Sequence, residues 1–171
     1  MNLLSYIDKD YTLIDFIKRV WDWQSYYDRE VIEYLHNIPR EYKKDYIKVG
    51  EIYRGMVVDL DLLIDLDICS WTTNITSAEY FTEKISEKEL ISKPKSKYHS
   101  VIFKKVGEYL DFSQIIKDLI EWIKDNEEYV LSEIDYPMEE ILDGFYMEDE
   151  VLSDYKKDEV EIYFQEEFLV A

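Results

Sequence analysis

At 171 residues the chain has the length of one domain, and its 47% hydrophobic and 16% aromatic content supplies a packed core and excludes intrinsic disorder despite 35% charged residues. Four Gly and three Pro exclude collagen-like, linker-like and Pro-rich classes. One cysteine, Cys69, excludes an internal disulfide framework or a Cys-based zinc site, and two histidines, His36 and His99, are too few for a His-rich metal site. A net charge of −19 repels nucleic-acid phosphate and anionic membranes, so the expected partner is a basic protein, or one that itself binds nucleic acid, rather than nucleic acid or a membrane.

No run approaches the roughly 20 apolar residues that span a bilayer. The opening Met1 to Asp8 meets charge too soon for a secretory signal. A reduced cytoplasmic protein without metal is therefore expected. The charge is uneven: residues 93–106 carry five Lys and no acid, whereas residues 107–171 carry four Lys and twenty-one Asp or Glu.

The N-terminal third reads as helical. Leu13, Phe16, Ile17, Val20 and Trp21 form the stripe of an amphipathic helix. A second helix is expected from Asp28 to Asn37, ended by Pro39. Glu51 to Val58 reads as a strand after Gly50, Leu60 to Leu66 as a short helix or irregular link, and Ile68 to Trp71 as a short strand. Thr76 and Glu79 have the spacing of a capping box, which predicts a helix running to about Leu90. Lys93 to Lys97 reads as a loop, and Val101 to Val106 as a strand. Ser113 is the expected cap of a helix carrying Ile116, Leu119, Ile120 and Ile123. Pro137 opens a short helix that Gly144 closes. Strands are expected at Glu148 to Leu152, Val160 to Phe164 and Phe168 to Val170. The order implies one α+β domain, with residues 1–48 as a helical N-terminal layer and residues 49–171 as the core.

Three short pieces stand out: Tyr53-Arg54-Gly55 at a strand, Ser70-Trp71-Thr72 before the helix with Ala78 and Phe81, and Glu148-Asp149-Glu150-Val151-Leu152. Each has an ordinary reading. A lone strand Arg is usually an ion-pair partner, hydroxyls before a helix are usually turn formers, and E-x-E recurs at Glu159-Val160-Glu161.

Together and in this order they resemble the arginine–serine–glutamate class of mono-ADP-ribosyltransferases. That family carries an Arg on its first core strand, a Ser-x-Ser/Thr element before a helix, and a Glu-x-Glu or Gln-x-Glu near the C-terminus. The resemblance implies an ADP-ribosyltransferase-like mixed or antiparallel β core with NAD as substrate. Arg54 would hold an NAD phosphate or ribose, with Tyr53, Gly55, Ser70 and Thr72 completing the NAD-binding surface. Glu150 would stabilise the oxocarbenium-like centre left by nicotinamide departure, and Ser70 would fix its rotamer. Glu148 would orient or deprotonate the acceptor, for which a protein arginine fits a carboxylate fork.

Strand alternation would put Glu148 and Glu150 on one face and Asp149 on the other, and two close carboxylates separate their proton affinities. It also turns Trp71 away from Ser70 and Thr72 into the core, and Tyr80 and Phe81 are expected in the core as well. Lys93, Lys95, Lys97, Lys104 and Lys105 either add positive potential near the anionic dinucleotide or form a solvated loop and strand edge.

The rival expectation is a non-enzymatic acidic inhibitor that imitates the charge of DNA and occupies a nucleic-acid-binding groove. It needs no Arg54, Ser70 or Glu150. Two variants of the transferase expectation stand beside it: an inactive homologue that only binds a partner, and an NAD glycohydrolase that uses water as acceptor.

Overall fold

The helices that start at Leu3, Leu13, Ile75 and Phe112 begin where a polar side chain closes the first turn. In the computed structural model, which describes residues 2–26, 29–83, 98–145 and 149–167, the elements in chain order are α1 (Leu3–Asp10), α2 (Leu13–Tyr26), α3 (Glu30–Asn37), α4 (Arg40–Lys43), β1 (Ile47–Asp59), β2 (Leu66–Thr72), α5 (Ile75–Phe81), β3 (Tyr98–Leu110), α6 (Phe112–Asp125), α7 (Glu127–Glu133), α8 (Met138–Asp143), β4 (Glu150–Tyr155) and β5 (Glu161–Glu167). One-turn 3-10 segments occupy Lys44–Tyr46 and Leu60–Leu62. The chain is α+β with an antiparallel sheet.

The chain divides into two compact units. The first comprises residues 1–47 and 111–147, the second residues 48–110 and 148–171. The sequence reading ends the helical part at residue 48, but the helices after Leu110 group with the N-terminal ones. The reason lies in α6, which buries Phe112, Ile115, Ile116, Leu119 and Ile123 and needs helical partners for that face. The Asp111 N–H donates to the Tyr46 carbonyl at 2.8 Å, and the Tyr46 hydroxyl donates to Asp118.

In the first unit Asn2 accepts the Ser5 N–H at 2.9 Å and opens α1. The Thr12 hydroxyl accepts the Asp15 N–H and donates to the Asp15 carboxylate, which starts α2. Leu13, Phe16, Ile17 and Val20 are buried as their spacing predicts. Ile38 is extended ahead of Pro39, so α3 stops where expected. The cap of α6 is Asp111, which accepts the Gln114 N–H at 3.1 Å; the predicted cap, Ser113, lies inside the first turn and is buried. Pro137 and Gly144 bound α8 as expected.

In the second unit the sheet order is β1-β2-β4-β3-β5, and a further β1–β3 pairing joins β1, β2, β4 and β3 into a closed ring. Ile52, Cys69, Trp71, Val101, Phe103, Val151 and Tyr155 form its buried cluster. Their even numbers on β1 and odd numbers on β2, β3 and β4 follow from strand alternation. β1 and β3 each run for 13 residues, longer than the apolar runs predict. The cap of α5 is Asn74, accepting the Thr76 N–H at 3.0 Å, so the Thr76 capping box is not the one used. α5 stops at Phe81, where Thr82 turns the chain, its N–H and hydroxyl both donating to the Glu79 carbonyl; the part of the expected helix from residue 84 to Leu90 lies outside the described residues. The predicted lysine-rich loop and final strand lie outside the described residues.

Candidate functional site

Strand pairing determines which of the candidate side chains share a face. Tyr53 on β1 stands opposite Thr72 on β2, and Thr72 opposite Glu150 on β4. Ser70 stands opposite Leu152 on the same two strands. Alternation therefore gives Tyr53, Gly55, Ser70, Thr72 and Glu150 one face of the sheet. Arg54 belongs to the other face, with Ile52, Trp71 and Val151. The sheet thus brings the serine element and Glu150 together and sends the Arg54 side chain to the opposite side.

The guanidinium is also engaged. Arg54 Nη1 donates to the backbone carbonyl of Ser70. Burial holds the nearby Tyr155 hydroxyl above its ordinary proton affinity, and the positive charge of Arg54 partly offsets that.

The shared face is partly filled. An added Cβ at Gly55 would meet the Ala78 carbonyl oxygen at 1.7 Å, so the backbone of α5 lies directly on this glycine. Gly55 is there to admit a helix. The Thr72 hydroxyl accepts the Asn74 N–H at 3.0 Å and shapes the turn into α5. The Tyr53 hydroxyl donates to Glu51 at 3.1 Å, and its ring packs edge-on against Tyr163 at 5.8 Å between centroids.

At the third piece Glu148 lies outside the described residues. β4 starts only at Glu150, and Asp149 takes the left-handed conformation with φ 53°. Asp149 is therefore not extended, and the expected shared orientation of Glu148 with Glu150 lies outside the described residues. The Asp149 carbonyl accepts the Thr73 N–H instead, at 3.3 Å.

Trp71 is buried in the core as expected, stacked on Tyr155 at 6.2 Å. Tyr80 and Phe81 are exposed, 52% and 38%, contrary to their expected burial; Ala78 is the residue of α5 that is buried. Lys104 pairs with Glu51 at 3.2 Å, and Lys105 Nζ bonds to Ser153 Oγ at 2.9 Å and to the Asp154 carboxylate. Both lysines are therefore engaged by carboxylates of their own unit, and the other three lie outside the described residues. Among the described residues no group of three or more His, Cys, Asp or Glu is placed to hold a metal ion, and no helix is long and apolar enough to cross a membrane.

The feature that single-motif reading passes over is in the first unit. Glu121, Asp125, Glu127, Glu128, Glu133, Asp135, Glu139, Glu140 and Asp143 are all exposed along α6 to α8, and Lys124 is the single base between Glu121 and Asp143. Tyr129 and Tyr136 stand half exposed among them, at 52% and 51%. The signal for this surface was the charge total, not a motif. No family model, curated protein or solved structure matches the chain.

Proposed function

We propose that the chain is a non-enzymatic acidic binding protein, whose carboxylate and tyrosine surface takes the place of nucleic-acid phosphate on a basic, nucleic-acid-binding protein. The observation that carries this reading is the run of exposed acids from Glu121 to Asp143 with two half-exposed tyrosines among them. A protein groove built for phosphate offers Lys and Arg to any regular array of negative charge. Tyrosine adds flat apolar area and a hydroxyl at little entropic cost. The same charge repels nucleic acid itself, so the protein competes for the groove without entering the duplex.

A transferase of the arginine–serine–glutamate class needs Arg54, Ser70 and Glu150 around one dinucleotide. The engagement of Arg54 by a backbone carbonyl, its position on the other sheet face, and the packing of α5 on Gly55 weigh toward the binding reading. Ser70 and Thr72 then serve as sheet and turn residues.

The test is displacement of basic proteins from immobilised DNA. The protein is expected to release them at low salt, with release falling steeply as salt rises. A variant carrying Glu127→Gln, Glu128→Gln, Glu139→Gln and Glu140→Gln is expected to lose most of that effect. Absence of displacement at low salt, or release of nicotinamide from NAD that Glu150→Gln abolishes, would overturn the reading.

A further inference from the structure

Among the described residues β5 ends the sheet order, paired on one side with β3 from His99↔Glu167 to Lys104↔Glu161. All seven of its residues are exposed, and at its centre Ile162, Tyr163 and Phe164 are 51%, 55% and 39% accessible. The register steps by one residue between Ile102↔Phe164 and Phe103↔Ile162, which leaves Tyr163 as the extra residue of a β-bulge. An edge strand with an apolar centre is a template for a further strand, and proteins blunt it with charge, Pro or a bulge. Here the bulge at Tyr163 and the acids act against a second acidic strand, but from Asp158 to Glu167 there are five acids and no base, a charge that favours a basic strand.

We propose that the outer edge of β5 receives an extended basic segment of the partner by strand addition, with Lys or Arg side chains on Glu161, Glu166 and Glu167 and apolar side chains on Ile162 and Phe164. This rests on the reading that the partner is basic, and adds a second contact with its own mode of recognition. Charge selects the occupant. Two copies of β5 paired antiparallel about Phe164 would oppose Glu161 with Glu167 twice, and an in-register parallel pair would stack each Glu on itself. A basic strand turns each of those repulsions into attraction.

The experiment follows amide hydrogen exchange in the full chain with a synthetic peptide alternating Lys and Val, and with its Glu and Val counterpart. The basic peptide is expected to slow exchange within Glu161–Glu167 and the acidic one to have no effect. Combined Glu161→Lys, Glu166→Lys and Glu167→Lys substitution is expected to weaken the basic peptide about tenfold, since each exposed pair contributes only a fraction of a kcal/mol. Tyr163→Ala, which leaves the charge unchanged, is expected to keep most of the binding. Basic-peptide binding that protects α6 to α8 but not β5, or that survives the triple reversal, overturns the edge inference and leaves the acidic-surface reading standing. Failure of the basic peptide to bind anywhere defeats both. A concentration-dependent dimer that protects Glu161–Glu167 without peptide overturns the choice of occupant.

Discussion

The Arg54 guanidinium donates to the backbone carbonyl of Ser70, not to its hydroxyl. This contact ties β1 to β2 from the core face, beside Trp71 and Tyr155. A charged donor on a half-buried carbonyl contributes roughly 1.5–3 kcal/mol. Arg54→Met is therefore expected to lower the stability of the second unit by about that amount, read as a lower denaturation midpoint, and Arg54→Lys to recover part of it. Unchanged stability in Arg54→Met would mean that the guanidinium serves something other than the sheet.

Gly55 and Ala78 make a second test of what the candidate site is for. The Ala78 carbonyl leaves no room for a Cβ at position 55. Gly55→Ala is expected to force α5 off β1 at a cost of roughly 3 kcal/mol. Gly144 in the first unit has the same relation to Trp21, where an added Cβ would meet Nε1 at 1.6 Å, and there a flexible side chain rather than a backbone must move. Gly144→Ala is expected to cost less than Gly55→Ala. Separate denaturation profiles compare them, and the reverse order would show that α5 yields more easily than Trp21.

These residues also show where the sequence was informative. The stripe from Leu13 to Val20 and the Pro137 and Gly144 bounds of α8 are local signals, governed by period and backbone restriction, and they appear as predicted. The placement of Trp71 opposite Ser70 and Thr72 was legible for the same reason, since alternation needs no knowledge of pairing. Arg54 departs from expectation through a non-local property. Tyr53↔Thr72 decides which face it takes, and no spacing between residues 54 and 70 encodes that register. Asp149 adds a local departure: it enters β4 at φ 53° and not in the extended conformation that the alternation argument assumed for it. Caps move by two residues, from Thr76 to Asn74 and from Ser113 to Asp111, because several polar residues compete for each helix start.

Cys69 lies in the buried cluster with Ile52, Trp71, Val151 and Tyr155. A thiol so enclosed reacts only when the sheet opens. In native buffer a thiol reagent is expected to modify it orders of magnitude more slowly than in denaturant, and the ratio should fall in Arg54→Met. Equal rates in the two solvents would show that the ring of strands does not close over Cys69.

Glu51 on β1 and Lys104 on β3 give the second unit a pH signature. The Lys104 ammonium, and then the Tyr53 hydroxyl, hold the Glu51 carboxyl below its ordinary range. Glu51 in turn holds Lys104 above its own. A carboxylate with a depressed folded-state value contributes stability above its unfolded value and loses it as pH falls through the folded one. An ammonium with a raised value contributes below its unfolded value and loses it as pH rises through the folded one. The pair therefore stabilises across the neutral range and fades at both ends. Comparing wild type with Glu51→Gln across pH, the difference in denaturation midpoint is expected to be flat near neutrality and to vanish in acid below the carboxylate range and in strong alkali. Because both groups meet solvent, added salt should shrink it throughout. A difference that persisted in acid would have to come from packing of the side chain, and the double substitution with Lys104→Met would then leave it unchanged.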